Sequence, residues 1–333
     1  MSEQVRLYVP KHREPRIVAI GGGHGLSTML RGLKLYSKQI TAIVTVADDG
    51  GGSGVLREDL GILPPGDIRN CLIALANTEP AMEELLQYRF EEGSLAGQSF
   101  GNLFLAAMNG ISDSFEEAVR RMGEVLAITG RVLPVTNENI HLEAVFENGS
   151  RCLGESKIFY AKKVNDCRIR QVRLVPEHPK ALPASLEAIR EADLIVMGPG
   201  SLYTSIIPNF LVDGISEAVA DSKALKILIM NIMSQDGETE GYTGADHVRA
   251  LLRHGLPGIV DLCIVNSRQL DAEVLRPYHE EGVGMLELDE EGIASFGIGV
   301  RKYELATGTR YIRHDHQALA KAIMEVYRQQ ENL

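Results

Sequence analysis

Short apolar runs and segments of helical periodicity alternate along most of the chain. RIVAI (16–20) and QITAIVTVA (39–47) are apolar enough for buried strands, and LSTMLRGLKLYS between them repeats its apolar residues every three or four positions. A run of glycines joins the first strand to this helix. Because strand, glycine turn, helix and strand in this order open a doubly wound fold, we predict a Rossmann-like α/β protein with a mostly parallel sheet.

The periodicity changes after Gly130. Residues 131–176 contain short alternating runs and an Asn-Gly turn at position 148, which together predict a β-rich insertion. Helix and strand then alternate again, and residues 267–333 mix a helix, short strands and a final helix. No Pro- or Ser-rich linker divides the chain, so we predict a single α/β domain over 1–333, with residues 267–333 as a C-terminal α+β extension. The helical segment before the insertion has three predicted N-caps: Asp67, Ser99 and Ser114.

Composition narrows the class of protein. The formal net charge is −11, from 34 Lys and Arg against 45 Asp and Glu, which argues against a general nucleic-acid binder. An acidic protein can still hold a phosphate on backbone N–H groups. The four cysteines lack zinc or disulfide spacing, no apolar run has the length of a membrane span, and the first residues lack a secretion signal. We expect a cytoplasmic protein without nucleic acid and without membrane insertion.

The turn in IVAIGGGHGLS (17–27) is the first candidate binding site. Four of its five residues from 21 to 25 are glycines, which let a ligand approach the backbone, and the following helix N-terminus favours an anion. A tight turn without ligand is the alternative, and it needs fewer glycines. The dinucleotide pattern G-x-G-x-x-G fails in both registers, which weakens an NAD site. His24 is either a phosphate contact or an exposed loop residue. The candidates here are Gly22, Gly23, His24, Gly25 and Leu26.

The stretch VTVADDGGGSG (44–54) is the second candidate. Asp48 and Asp49 follow a predicted strand, where an open α/β sheet places its ligand crevice. Two carboxylates there can accept hydrogen bonds from sugar hydroxyls or hold a divalent cation beside ligand phosphates. The glycines and Ser53 after them can form a further anion cradle. A rigid turn, LPPGDIRN (63–70), follows and adds three candidates: Gly66, Asp67 and Asn70.

A second strand-to-loop transition is DLIVMGPGSLYTSIIPN (193–209). Its glycines flank a proline and are followed by hydroxyl side chains, and in a doubly wound sheet this loop can face the first one. The pattern is not the G-x-S-x-G of a hydrolase, so we discount Ser201 as a nucleophile. HLEA (141–144) is a weak metal pair, and RHDH (313–316) is predicted to be a helix-start turn. The candidates from this loop and from two other segments are Gly198, Gly200, Ser201, Tyr203, Thr204, Asn102, Asn231 and Gln235.

Five motifs together resemble the gluconeogenesis factor family (YvcK-like), which is related to the CofD-type 2-phospho-L-lactate transferases. They extend over most of residues 16–245 and read GGGHGLSTMLRGLK, VTVADDGGGSGVLREDLGILPPGDIRNCLIALA, SFGNLFLAAM, GRVLPVT and ADLIVMGPGSLYTSIIPN. His24 departs from the family, which we expect to carry Thr at that position.

The resemblance implies a CofD-like fold with a nucleotide-binding crevice. Family members look like binders of UDP-sugars such as UDP-N-acetylglucosamine, needed for cell shape and wall synthesis on gluconeogenic carbon. The transferase relatives move a phospholactyl group from a guanosine dinucleotide onto a deazaflavin precursor, and they use a divalent cation for this reaction. Carried over by motif position, Asp49 and Asp67 are the metal-side carboxylates in that alternative, with Mg²⁺ as the ion.

Three hypotheses follow for the function. The first is a nucleotide-sugar-binding regulator without turnover, acting through a protein partner in cell-wall synthesis. The second is a transferase of a nucleotide-activated phospho group. The third is an NAD-type dinucleotide binder. We favour the regulator, with a UDP-sugar or dinucleotide as bound ligand and no certain cofactor, and a homodimer is the default assembly.

Overall fold

The computed structural model describes residues 14–308 and 311–331. Apolar runs form the strands and amphipathic segments form the helices between them. The strands are β1 (Ile17–Gly21), β2 (Ile40–Val44), β3 (Arg131–Pro134), β4 (His141–Phe146), β5 (Arg151–Leu153), β6 (Ile169–Val175), β7 (Leu194–Met197), β8 (Leu225–Ile229), β9 (Leu262–Asn266), β10 (Gly299–Tyr303), β11 (Ala306–Thr307) and β12 (Arg313–His314).

The helices cover both faces of the main sheet and connect its strands. They are α1 (Gly23–Leu33), α2 (Gly51–Leu60), α3 (Gly66–Leu75), α4 (Pro80–Gln87), α5 (Phe100–Gly110), α6 (Phe115–Val125), α7 (Glu155–Asn165), α8 (Pro183–Glu191), α9 (Ile207–Phe210), α10 (Ile215–Asp221), α11 (Gly244–His254), α12 (Ala272–Glu280), α13 (Glu290–Ala294) and α14 (His316–Glu331), with a 3-10 turn at Gly93–Leu95 and a π-helical turn at Leu202–Ile206.

The main sheet is parallel and has the order β10-β9-β8-β7-β1-β2-β3. Its central strands are buried on both faces, which explains why β1, β2 and β7 are continuous apolar runs rather than alternating ones. Strand order reverses between β1 and β7, because the chain moves outward to β2 and β3 on one side and to β8, β9 and β10 on the other. The predicted doubly wound α/β fold is confirmed.

The β-rich insertion is a separate antiparallel sheet with the order β5-β4-β6, and α7 packs against it. Gly149, at φ +84°, makes the turn between β4 and β5, as the Asn-Gly pair predicted. The inserted sheet begins at His141 rather than at residue 131, because β3 completes the edge of the main sheet. The division into domains stays a prediction.

The C-terminal segment returns to the body of the fold. β10 extends the main sheet, and α14 packs on α1. The two helices approach closely at Gly32, where an added β-carbon would lie 2.0 Å from the carbonyl oxygen of His316. The C-terminal extension therefore lies against the helix that follows the first glycine loop.

Two of the three predicted helix caps are confirmed. The side chains of Ser99 and Ser114 accept the backbone N–H groups of the third residues of α5 and α6. The prediction for Asp67 was wrong, because the N-cap position of α3 is Pro65 and Asp67 lies within the first turn. Its carboxylate is free for a different contact, described below.

Candidate functional site

A deep crevice opens where the strand order reverses, beside the carboxyl ends of β1 and β7. Its volume is about 620 Å³. This is the position at which open α/β sheets hold their ligands. The sequence-predicted residues that line it are Gly23, His24, Gly25, Asp48, Asp67, Gly200, Ser201, Thr204, Asn231 and Gln235.

The first glycine loop forms one wall of the crevice. Gly23 has φ +66°, a conformation that L side chains rarely adopt, and Gly25 packs directly on the second loop. A β-carbon on Gly25 would lie 2.3 Å from the carbonyl oxygen of Pro199. The first turn of α1 leaves N–H groups without intrahelical partners, and they begin at residues that line the crevice. This wall therefore offers backbone donors to an anion.

His24 lies in the same wall and is close to positive charges. Burial lowers the pKa of its imidazole, and Arg313 and Arg69 lower it further. A histidine in this setting is held neutral at physiological pH, so it offers one donor and one acceptor instead of a positive charge.

The second glycine loop is held in place by amide side chains. Asn231 accepts the N–H of Gly200 at 3.2 Å and donates to its carbonyl oxygen at 2.8 Å. The hydroxyl of Ser201 donates to Oε1 of Gln235 at 2.7 Å. Asn231 and Gln235 therefore position the second loop as well as lining the crevice.

A buried carboxylate lies beneath the second loop. Glu238 is only 3% exposed, and its carboxylate faces the backbone N–H groups of residues 202–204. Burial raises the pKa of Glu238 to about 7, and those amides and the Thr204 hydroxyl oppose the rise. Because an internal carboxylate already faces these amides, the donors left for a ligand phosphate are mainly the amides of α1 that follow Gly23, since Asp67 accepts the N–H of Gly23 itself.

Three carboxyl groups lie close together in the crevice, and one of them contacts the first glycine loop. Asp67 accepts the N–H of Gly23, yet burial followed by the charge of Asp48 raises the pKa of Asp67 to about 6. Burial also raises the pKa of Asp48, although Gly50 and Ser53 donate hydrogen bonds to it. Burial, followed by the charge of Asp48, raises the pKa of Glu155 to about 8. Crowded carboxyl groups of this kind favour bound protons, hydroxyl donors or a cation.

Asp49 points away from this group. Its Oδ1 accepts the backbone N–H of Ser156 at 2.8 Å, and the Gly154 backbone lies close to its other oxygen. The side chain therefore satisfies the first turn of α7 in the inserted unit. The structure brings Asp67 together with Asp48 and Glu155, and it does not bring Asp67 together with Asp49 around the crevice.

Several other predicted residues support the walls without lining the crevice. Gly22 has no room for a side chain, because Asp67 and Thr45 pack against it. Ser53 hydrogen-bonds Asp48, and Gly66 lies beside this pair. Gly198, at φ +71°, turns the chain after β7.

The remaining predicted residues are engaged elsewhere. Leu26 is fully buried in the core. The side-chain oxygen of Asn70 accepts a hydrogen bond from Arg69 at 2.7 Å. Asn102 is buried in α5, and its Oδ1 has no hydrogen-bond partner within residues 14–308 and 311–331. Tyr203 points to a different depression, and its hydroxyl lies 2.9 Å from that of Tyr242.

Sequence reasoning missed most of one wall, of which it had predicted only Asn231 and Gln235. It is built by residues after β8, by the end of α12 and by β12, and it includes Arg313, whose positive charge acts on His24. The RHDH segment was predicted to be only a helix-start turn. His316 does begin α14, but the two residues at 313 and 314 also line the crevice. The missed lining residues include Thr45, Glu155, Ser205, Ser234, Asp236, Tyr278, Glu281, Arg313 and His314.

The weak metal pair on β4 is used otherwise. Glu143 pairs with Arg173, which leaves His141 without that partner for a metal. In the part of the chain that the structure describes, no three His, Cys, Asp or Glu side chains are placed to hold one metal ion. The same residues include no helix that is both long and apolar enough to cross a bilayer.

The sheet order and the crevice define a doubly wound α/β protein with a polar ligand cleft at its topological switch point. Residues 17–306 match the family model described as 2-phospho-L-lactate transferase CofD. The gluconeogenesis factor of Bacillus subtilis (strain 168) is 46% identical over 320 residues, which cover 95% of this chain and 99% of that protein. The chain therefore belongs to the CofD family and, within it, to the YvcK-like gluconeogenesis factors.

Two further relatives agree with this assignment. A protein of Thermoanaerobacterium thermosulfurigenes is 56% identical over 311 residues, covering 93% of this chain and 96% of its own. The crystal structure of a UPF0052-family protein from Bacillus halodurans is 44% identical with a TM-score of 0.90, and the match covers 94% of this chain and all of that one. The predicted family and the predicted fold are both confirmed.

Proposed function

We propose that the protein is a cytoplasmic regulator that binds a nucleotide-sugar of the UDP-N-acetylglucosamine type in the crevice. In this proposal it serves cell shape and wall synthesis during gluconeogenic growth, through a protein partner and as a homodimer. The main support is the contact between the two glycine loops, where Gly25 packs on Pro199. The first-turn amides of α1 also begin at the crevice. A diphosphate fits such donors.

The chemistry of the three carboxyl groups supports a sugar rather than a second anion. Ionised Asp48 and Asp67 would repel an anion, whereas all three carboxyl groups accept hydrogen bonds from hydroxyl groups and the protonated Glu155 can also donate one. A ligand with a diphosphate at one end and hydroxyl groups at the other matches both the α1 amides and these carboxyl groups. The volume of about 620 Å³ lies in the range of small-molecule sites.

The carboxyl groups also favour a second candidate, a transferase of a nucleotide-activated phospho group. Burial is the main cause that raises the pKa of Asp48, and burial followed by the charge of Asp48 raises the pKa of Asp67; a divalent cation between the two carboxylates would favour their ionised forms. These two side chains, completed by ligand phosphates, would hold Mg²⁺, which would stabilise negative charge on the departing phosphate. Asp49, the metal-side residue expected from the motif, would instead keep its contact with α7.

Calorimetry with four ligands distinguishes these functions. UDP-N-acetylglucosamine, UDP-glucose, GTP and NAD are each titrated with and without Mg²⁺, with thermal unfolding in parallel. A ligand at about 100 times its dissociation constant adds roughly 2.7 kcal/mol to the free energy of unfolding. We expect a Mg²⁺-independent response to a UDP-sugar that is recovered intact. Consumption of the ligand or Mg²⁺-dependent GTP binding would favour the transferase, and a response to NAD alone would favour a dinucleotide binder.

A further inference from the structure

A second depression, here named the arginine groove, lies between the inserted sheet and α11. Its volume is about 210 Å³. Residues at the start of β6 and along α11 line it, so its charged residues come from distant parts of the sequence. Those residues are Glu147, Arg168, Arg170, Asp246, Arg249 and Arg253.

The charge of the groove opposes that of the whole protein. Four arginines and two acidic residues line it, which gives a local charge of +2 in a chain of net charge −11. Arg249 pairs with Asp246, and Arg168 stacks over the Tyr242 ring with 4.9 Å between its guanidinium carbon and the ring centre. Within the described residues, no hydrogen bond or ion pair engages the side chain of Arg170 or of Arg253. Two guanidinium groups in the groove are therefore available for a ligand.

The floor of the groove is buried and fixed. Tyr203 and Tyr242 are 2% and 7% exposed, their hydroxyl groups are 2.9 Å apart, and their rings meet edge to face. The Tyr203 hydroxyl also donates to the carbonyl oxygen of Ile169 at 3.3 Å. A low-dielectric floor strengthens the attraction between the arginines above it and an anion.

The geometry points to a second binding site: we infer that the arginine groove binds a phosphate monoester dianion, held by Arg170 and Arg253. Guanidinium groups match phosphate oxygens in a bidentate manner, and a dianion neutralises the local charge of +2. The volume of about 210 Å³ accepts a phosphate ester but is small for a nucleotide-sugar. The ester can belong to a free metabolite or to a phosphorylated side chain of a protein.

The groove is connected to the crevice by one short element. In the π-helical turn Leu202–Ile206, Tyr203 lines the groove, while its neighbours Thr204 and Ser205 line the crevice. π-Helical turns are often found at functional sites. An anion in the groove therefore contacts the far side of the loop that holds the second glycine pair.

Calorimetric titration with two probes tests this site. The probes are glycerol 2-phosphate and a short peptide with one phosphoserine, each compared with its unphosphorylated form. Wild-type protein is compared with the double variant Arg170→Gln/Arg253→Gln. The matched control is Arg190→Gln/Arg301→Gln, which removes the same charge from exposed positions outside both cavities.

We expect at least one phosphorylated probe to bind wild type and control equally, and to lose about tenfold or more in affinity for the groove variant. Loss for glycerol 2-phosphate alone identifies a metabolite site, and loss for the peptide alone identifies a protein ligand. The inference is overturned if neither probe binds wild type, or if the groove variant binds like the control. Phosphate bound in the crevice is unaffected by these substitutions, so failure here leaves the proposed function intact.

Discussion

A β-carbon on Gly22 would lie 2.6 Å from Oδ2 of Asp67, so these residues fit together only because position 22 has no side chain. The backbone of Gly22 is extended, at φ −169°, and alanine can adopt it without strain. Gly22→Ala should therefore displace the Asp67 carboxylate and its hydrogen bond to the N–H of Gly23. We expect affinity for UDP-N-acetylglucosamine to fall about tenfold or more, as measured by calorimetry.

The control for this prediction is Gly110→Ala, at a position where an added β-carbon meets no atom within 4 Å. This variant should bind the ligand like wild type. Wild-type affinity in Gly22→Ala would show that the Asp67 position is unimportant for the ligand.

The crowded carboxyl groups predict a pH-dependent stability. Burial is the main cause that raises the pKa of Glu155 from 4.5 to about 8 and that of Asp67 from 3.8 to about 6. A carboxyl group with a raised pKa holds its proton more tightly in the folded state, so its stabilising contribution is present at low pH and is lost as pH rises through the folded pKa. The free energy of unfolding should fall between about pH 5 and 8.

Glu155→Gln removes one of these groups and isolates its share of the pH dependence. We expect the variant to be more stable than wild type at pH 8, with the difference closing towards pH 4.5, as measured by urea denaturation across this range. Glu58→Gln, at an exposed position of α2, is the control and should follow wild type. An unchanged pH slope in Glu155→Gln would exclude Glu155 as a source of the dependence.

Arg57, in α2, hydrogen-bonds two other segments of the chain, at residue 48 and at residues 139–140. Its guanidinium donates to the carbonyl oxygens of Asp48 and Ile140 and to Oδ1 of Asn139, and the residue is 6% exposed. Arg57→Ala leaves these acceptors without a donor, and we expect a loss of about 3 kcal/mol in the free energy of unfolding. Urea denaturation measures it. Arg57→Lys should recover only part of the loss, and a loss below about 0.5 kcal/mol in Arg57→Ala would contradict the bridging role.

Substitutions of Asp48 and Asp49, which are neighbours in the sequence, should have different effects on ligand affinity and stability. Asp48 lines the crevice, so Asp48→Asn should lower ligand affinity about tenfold while the fold stays at least as stable, because burial disfavours the Asp48 charge and that charge repels Asp67. Asp49→Ala removes the acceptor of the Ser156 N–H and should cost about 1 kcal/mol with little change in affinity. Calorimetry and urea denaturation of both variants provide the comparison. Loss of binding in a stable Asp49→Ala variant would return Asp49 to the site.

Local patterns in the sequence were sufficient for the framework of this protein. The apolar strands and the glycines after β1 predicted the sheet and the position of the crevice, because both follow from short-range periodicity and chain reversal. The contact of Asp67 was harder to predict, because its hydrogen-bond partner is the N–H of Gly23 in another loop. The local sequence indicated only an N-cap role. Tyr203 and Thr204 are adjacent, but a π-helical turn directs them to different cavities. The spacing of apolar residues in the sequence does not predict a turn of this kind.

The third wall of the crevice was beyond sequence reasoning for a related reason. Arg313 reaches the glycine loop only because α14 packs on α1, and this contact depends on the path of the whole chain. The sequence around Arg313 shows a charged turn before a helix, whereas the structure has the short strand β12 at Arg313–His314, followed by α14. Nothing local indicates which surface that turn will meet.

The packing of α14 on α1 also sets the order in which the crevice can be completed during synthesis. Residues 23–25 are synthesised before residues 312–314, which also line the crevice and are added after the segment matched by the family model. A nascent chain therefore has the glycine loop long before it has the crevice. A ligand that needs the complete crevice can therefore stabilise only chains that have been synthesised at least as far as His314.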